Sequence, residues 1–457
     1  MSDDIQSLVT GKLKLSAIAR LIIGIPLRQG FRKELLFVLT IAFSLFVLFL
    51  VAITWLFIKG VGIWGINIPV AWGFAITNYV WWIGIGQAGT FISAFLYLMH
   101  QNWRASINRF AETMTLFAVM SAAIFPLLHL GRPWFFYWLV PYPNSMGLWP
   151  QFNSALIWDF FAIFTYLVVS VLFWYMGIIP DLALARDQAV KTWVKRFYAI
   201  LSLGWRSAGS HWKRHKKLYM LIAGLATPLV VSVHTVVSFD FAVALVPGWH
   251  STIFPPYFVA GAIFSGLAMA LTLMLPIRKM YHLENIITSA HLDKLSKITL
   301  TTGLIVGYGY VMETFIGWYS NNFYEWYHIL NKLGGNYGFL YWTVLFCNVA
   351  SIQILWIRSV RKNPLILFIL SIFINIGMWV ERLMIVIVGL HRDFLTSSWG
   401  MYYPTFWDWA TFFGVIGFFL CGFLLFFRVF PMFASFEVEE LETIINERHT
   451  HASKKSS

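Results

Sequence analysis

A few ionisable side chains interrupt the apolar stretches of this 457-residue chain. The third such stretch ends in HLGRPWFFYW, which sets His129 and Arg132 where a membrane span should hand over to a loop. Asp159 follows in the fourth stretch, His234 and Asp240 in the fifth, Glu313 in the seventh, and the adjacent pair Glu381–Arg382 in the ninth. A charge at mid-bilayer costs a few kcal/mol or more, so each is a functional hypothesis by default. Quinol oxidation is the chemistry such a set suits. A quinol carries two hydroxyls at opposite ends of a ring, and an isoprenoid tail that partitions among apolar helices. Each hydroxyl needs a group that takes its proton as an electron leaves, and a neutral histidine or an ionised aspartate can do so. An arginine would balance buried carboxylates and keep them ionised, and aromatic side chains would sandwich the head ring.

Each residue also has a plainer reading. His129 would cap its helix and bond a loop carbonyl. Arg132 before Pro133 would shape the turn, since proline stops the helix. Asp159, five residues after Ser154, would be a first-turn charge favoured by the helix dipole. Neighbours on a helix point about 100° apart, so Glu381 and Arg382 each need a partner. His234, about 9 Å deeper than Asp240 by helical rise, is either a core histidine or a proton relay. His250, in VPGWHST, reads as surface, and Gln87, among the small residues of GIGQAGT, reads as a packing or hydrogen-bonding residue.

These residues need a scaffold, and composition supplies its class. The chain is 59% hydrophobic and 12% charged, against about 25% charged in soluble domains. Spanning helices need about 20 apolar residues. About ten such segments are legible, at 35–58, 69–98, 106–130, 154–178, 218–246, 253–276, 297–319, 337–358, 364–390 and 405–429. The expected fold is an all-α membrane protein, since runs this long exclude barrel strands. Segments 2–5 and 6–9 suggest two four-helix bundles, flanked by segments 1 and 10. The expected organisation is an N-terminal arm over 1–34, a membrane domain over 35–430 and a polar tail over 431–457. The loop 179–217 should hold an amphipathic surface helix, with Pro180 and Asp181 marking its start. His449 and His451 read as solvated tail residues.

The net charge of +13 does not point to nucleic acid, because Lys and Arg alternate with the crossings. They crowd the N-terminal arm and the loops after the fourth, sixth and eighth segments. Loops on the other side carry few beyond Lys59, Arg132, Lys332 and Arg392. By the positive-inside rule both termini are cytoplasmic, and the basic excess also suits lipid headgroups. His129, Asp159, Asp240, Glu313, Glu381 and Arg382 then share the outer leaflet, with little to match them at the inner ends apart from Glu112. The two cysteines, Cys347 and Cys421, lie inside spans and read as core residues; with no CxxCH and too few thiols, no haem attachment or iron–sulfur cluster is expected in this chain. The aromatic outer loops 131–152 and 320–336 look like interfacial belts or a docking face. A transporter or proton channel is a non-redox alternative, but no broken-helix site at the midplane is evident.

The run from HLGRPWFFYW through NSALIWDFF to IPDLALARD, preceded by NYVWWIGIGQAGTFIS, resembles the NrfD/PsrC-like membrane quinol subunits. Within them it looks most like the ActC subunits of bacterial alternative complex III. The resemblance covers about residues 30–430. It implies a menaquinol-oxidising subunit in the bacterial inner membrane that binds no cofactor itself. Its partners would be an iron–sulfur subunit at the periplasmic face, multihaem c-type cytochromes, a second NrfD-like subunit and a terminal oxidase. It implies a quinol site of His129, Asp159, Asp240 and Arg382, the first two catalytic. Glu313, Glu381, His234, Asp408 and Gln87 would be candidates for proton traffic. At the Gln87 position similar sequences often carry His, and glutamine cannot carry a proton as histidine does. The anchor of a molybdopterin enzyme or hydrogenase is the nearest alternative within the resemblance.

Overall fold

A computed structural model describes residues 22–27, 30–140, 147 and 152–438. His449, His451 and most of the polar tail lie outside the described residues. Among those described, every regular element is helical, and all ten apolar segments form helices. They are α1 (Lys33–Lys59), α2 (Phe74–Thr90, extended by a π turn at Phe91–Phe95 to Leu98), α3 (Asn108–Leu128) and α4 (Ala155–Gln188). After the short α5 (Thr192–Leu201) come α6 (Gly209–Ala242), α7 (Phe254–Met280) and α8 (Ser289–Tyr319). Beyond α9 (Phe323–Gly334) run α10 (Gly338–Leu345, prolonged by π and 3₁₀ turns to Trp356), α11 (Pro364–Leu390) and α12 (Phe406–Val429). Eight of these segments are long and apolar enough to cross a membrane, counted among the described residues. The chain is a multi-pass integral membrane protein.

Packing divides the helices as the segment order suggests. Helices α2, α3, α4 and α6 form one bundle, and α7, α8, α10 and α11 form the other. Helix α7 is the hinge between them, touching α2 and α6 on one side and α8 and α11 on the other; 83% of its most apolar stretch is buried. Close approach of α7 to α2 requires Gly266, where a Cβ would lie 2.4 Å from that of Ala88. Such small-residue contacts replace the hydrophobic drive that lipid cannot supply. Helices α1 and α12 pair along the flank. The α1 surface is the barest, with Phe37, Ile41 and Ile58 exposed as lipid-facing residues should be.

Two local expectations fail for physical reasons. Pro180 does not start a helix; it lies inside α4, and Asp181 is buried beside it. A mid-helix proline removes the N–H that would serve the carbonyl four residues earlier. That carbonyl, of Met176, is bonded instead by His215 Nε2 of α6 at 2.8 Å. The surface helix starts later, at Thr192, with Trp193 and Ile200 exposed and Tyr198 buried. The stretch 320–336 is not merely a loop. Asn322 caps α9 by accepting from the Tyr324 and Glu325 N–H groups.

His215→Phe keeps the ring volume and leaves the Met176 carbonyl bare. The expected cost is about 1–3 kcal/mol, read as a lower thermal midpoint of the purified protein in detergent. A midpoint equal to wild type would show that water replaces the histidine.

Candidate functional site

A cavity of about 230 Å³ opens at the His129 end of the first bundle. His129, Asp159, Asp240 and Tyr79 line it, with Ile76, Pro126 and Phe160 among the apolar walls. Four separate elements supply its polar groups: α2, the end of α3, α4 and α6. His129 follows the last residue of α3, and its Nδ1 lies 2.9 Å from the Phe125 carbonyl. A carbonyl only accepts, so Nδ1 carries the hydrogen and Nε2 of the neutral ring keeps its lone pair. The capping role and an acceptor role therefore coexist on one ring. Asp159 Oδ2 accepts from the Tyr79 hydroxyl at 2.8 Å, while Oδ1 has no partner. The Asp159 and Asp240 carboxyls come within hydrogen-bonding reach of each other, and Asp240 Oδ1 has no partner. A hydrogen bond between two carboxyls requires a proton on one of them. His129 also lines a second cavity of about 220 Å³ with Trp64 and Trp72, so it stands between the two spaces.

Arg382 does not line either cavity. Its guanidinium lies 3.9 Å from the centre of the Phe258 ring. Its Nη1 approaches Glu381 Oε1 at 3.1 Å, but at an angle too bent for a hydrogen bond. Adjacent helix residues diverge, so each keeps a main partner of its own: Arg382 the Phe258 face, Glu381 the Tyr310 hydroxyl. Asn348 joins them, donating to Tyr310 at 2.9 Å. Three of the four residues expected at the quinol site thus share a cavity, and the fourth belongs to the second bundle.

The remaining candidates sit in well-defined places. Glu313 pairs with Lys332 of α9 at 2.7 Å, with side chains 10% and 4% exposed. His234 is buried with its ring 5.9 Å from that of Phe258, and its Nε2 has no partner. The Gln87 amide, oriented to suit its surroundings, donates to the Val230 carbonyl at 2.9 Å and accepts from the His234 N–H at 3.3 Å. That is a packing contact with one turn of α6. Asp408 is the N3 residue of a capping box with Thr405. Its carboxylate accepts from Gly65 N and Thr405 N at 2.8 Å and from the Tyr402 hydroxyl at 2.9 Å, which ties α12 to the loop after α1. His250 is exposed. Arg132 is exposed and Pro133 buried, opening a 3₁₀ turn over Pro133–Leu139.

The model of the family described as polysulphide reductase, NrfD, matches residues 62–392. The chain belongs to the NrfD family. The match takes in both four-helix bundles and leaves out α1 and α12. Among relatives of this NrfD chain is the C subunit of the selenate reductase of Mesobacillus selenatarsenatis, 26% identical over 386 residues, covering 79% of this chain and 86% of that one. The membrane C subunit of a putative dimethyl sulfoxide reductase of Halobacterium salinarum is 24% identical over 355 residues, covering 74% and 73%. Among the described residues of this NrfD protein, no three His, Cys, Asp or Glu side chains converge as a metal site would require.

The end of the NrfD bundle away from His129 corrects a further expectation, that Glu112 stands nearly alone there. Arg109 pairs with Glu112 at 2.9 Å and donates to the Trp174 carbonyl at 3.0 Å. Tyr219 donates to the other Glu112 oxygen at 2.9 Å. Arg104 pairs with Glu437 at 3.0 Å, and Asp181 accepts from Ser435 N at 3.0 Å. The C-terminal residues Met432–Val438 are thus built into the protein rather than frayed from it. Arg104 looks like an ordinary loop cation in sequence, Arg109 lies near the start of the third apolar segment, and Glu437 and Ser435 look like tail. Only the fold brings them together. Tyr79 was equally hidden, one aromatic in the run NYVWW.

The Glu313–Lys332 pair gives a direct check of this geometry. Glu313→Gln leaves a buried ammonium without its carboxylate, at an expected cost of about 3–5 kcal/mol. Adding Lys332→Met should recover most of the lost thermal stability. A single mutant as stable as wild type would mean that the pair is solvated.

Proposed function

We propose that this NrfD-family chain is the quinol-reactive membrane subunit of a respiratory oxidoreductase, oxidising menaquinol in the His129–Asp159–Asp240 cavity near the periplasmic face. The observation that carries the reading is the pairing of acceptors in one apolar-walled space. An imidazole Nε2 with a free lone pair and a carboxyl pair with unpartnered oxygens face the same cavity. One quinol hydroxyl would give its proton to His129 Nε2. The other would give its proton to the Asp159–Asp240 pair, with Tyr79 holding Asp159 Oδ2 in place. Loss of two protons and two electrons leaves the quinone, and the electrons pass to an iron–sulfur cluster of an adjacent subunit. The exposed aromatics Trp134, Phe136 and Trp138 form the wall where that subunit would dock. Arg382 enters through Phe258, whose ring lies between its guanidinium and His234. Glu381, Glu313 and His234 would serve any coupled proton movement. Asp408 and Gln87, whose polar atoms are engaged in structural bonds, are the weakest candidates for it.

The assembly we favour is alternative complex III of a bacterial inner membrane, with multihaem c-type cytochromes, a second NrfD-like subunit and a terminal oxidase as partners. The resemblance of the block from His129 to Asp159 supports it. A second reading, the anchor of a molybdopterin reductase, draws on relatives whose names make them the C subunits of selenate and dimethyl sulfoxide reductases. Proteins that co-purify separate the two: multihaem cytochromes favour the first, a molybdopterin protein the second.

In the assembled complex, His129→Ala or Asp159→Asn should lower quinol-driven electron transfer by about 10²–10⁴-fold with the partners' redox centres intact. Tyr79→Phe should cost less, because it removes only an orienting bond. Wild-type turnover in both of the first two variants would sink the assignment.

A further inference from the structure

We propose that the inner end of the first bundle carries a second site, a cleft that binds the phosphate of an anionic membrane lipid. The cleft, about 160 Å³, lies between the turn that joins α2 to α3 and the first turns of α6. Arg104, Lys216, His100 and His215 line it, and Glu437 is the carboxylate among its described lining residues.

Two buried groups in the wall lack partners. Arg104 is 6% exposed, and while its Nη2 is held by Glu437 at 3.0 Å, its Nη1 has none. His215 is 4% exposed, and its Nε2 serves the Met176 carbonyl while its Nδ1 has no partner. A buried guanidinium nitrogen left bare costs free energy that a phosphate oxygen would recover through a charge-assisted bond. Arg104 is also fixed in direction, stacked 4.4 Å over the Tyr97 ring. His100, at the mouth, has a left-handed backbone with φ of 52°. Non-glycine residues keep that conformation only where their surroundings impose it.

The surroundings select a lipid over a free ion. Above the cleft Leu218, Leu221 and Leu225 form an exposed stripe on α6 at helical spacing, and Met99 is exposed beside His100. Such a stripe offers acyl chains a surface that starts where the headgroup cations end. Lys213, Arg214 and Lys217 are exposed on the same turns of α6 and extend the positive field. Basic pockets between helices on the positive side of a membrane protein suit anionic headgroups in this way. The site is independent of the quinol cavity, which lies at the opposite end of the bundle.

The test uses the intact complex, delipidated in detergent and titrated with phosphatidylglycerol, phosphatidylcholine or inorganic phosphate. Bound lipid is read by native mass spectrometry and thermal shift. Wild type should retain and be stabilised by phosphatidylglycerol in preference to phosphatidylcholine. Lys216→Ala, at an exposed position, should lower phosphatidylglycerol occupancy roughly fivefold, and Arg104→Gln should lower it further. Lys195→Ala on α5, a cation away from the cleft, should leave it unchanged. If Arg104→Gln fails to assemble, Lys216→Ala still decides. Wild-type occupancy in Lys216→Ala, equal binding of both lipids, or equal stabilisation by inorganic phosphate would each overturn the lipid assignment.

Discussion

Every polar group inside this protein must find its partner inside the protein. Lipid offers none, and an unsatisfied backbone group there costs several kcal/mol. Many side chains that look functional in sequence are answers to that demand. His215 replaces the donor that Pro180 lacks. Trp249 and Trp379 spend their indole N–H groups on the Ile385 carbonyl and the Asn78 side chain, both at 2.8 Å. Asp408 gathers the bare N–H groups of a helix start and a loop. Gln87 reads one turn of the neighbouring helix.

Against that background the first-bundle cavity stands out for what gathers around one space. Asp408 and Asp159 are both buried carboxyls on helices, yet the oxygens of Asp408 are engaged while Asp159 keeps one bare. Asp159 and Asp240 line one space of ligand size, and so does His129. A bare polar atom in a packed wall is a defect or a place for water. Several bare atoms around one cavity, borne on different helices, describe a complementary solute. The quinol proposed above is such a solute, apolar over most of its surface and a hydrogen-bond donor at separated points.

The sequence was informative in proportion to how one-dimensional each property is. Span positions depend on local hydropathy, and all ten segments appear as helices. Depth along a helix depends on rise per residue, so the grouping of His129, Asp159 and Asp240 near one end was legible. Direction around the helix axis was not. Arg382 shares the expected depth but faces Phe258 and Glu381 in the other bundle. Pro180 misled because a proline inside a helix and a proline at its start look the same until the partner of the Met176 carbonyl is known. The inner cluster was illegible for a related reason. Its acid, Glu437, lies more than three hundred residues along the chain from Arg104, and no local pattern joins them.

The two bundles meet the same demand in opposite ways. In the second bundle Glu313 and Lys332 meet directly, and Glu381 and Arg382 stand side by side with Tyr310 and Phe258 as their main partners. In the first bundle the Asp159 and Asp240 carboxyls meet each other and a tyrosine, with no lysine or arginine in the cavity lining among the described residues. Two buried carboxyls side by side cannot both ionise cheaply, so this pair is held by a shared proton rather than by a counter-charge. An arginine at the cavity would neutralise the pair and compete with a hydroxyl for its oxygens. Arg382, on α11, stays out of that lining. On the function proposed above, the first bundle keeps its carboxyls for a ligand while the second pairs Glu313 with Lys332; the two bundles meet along α7 and directly where α11 packs on α2.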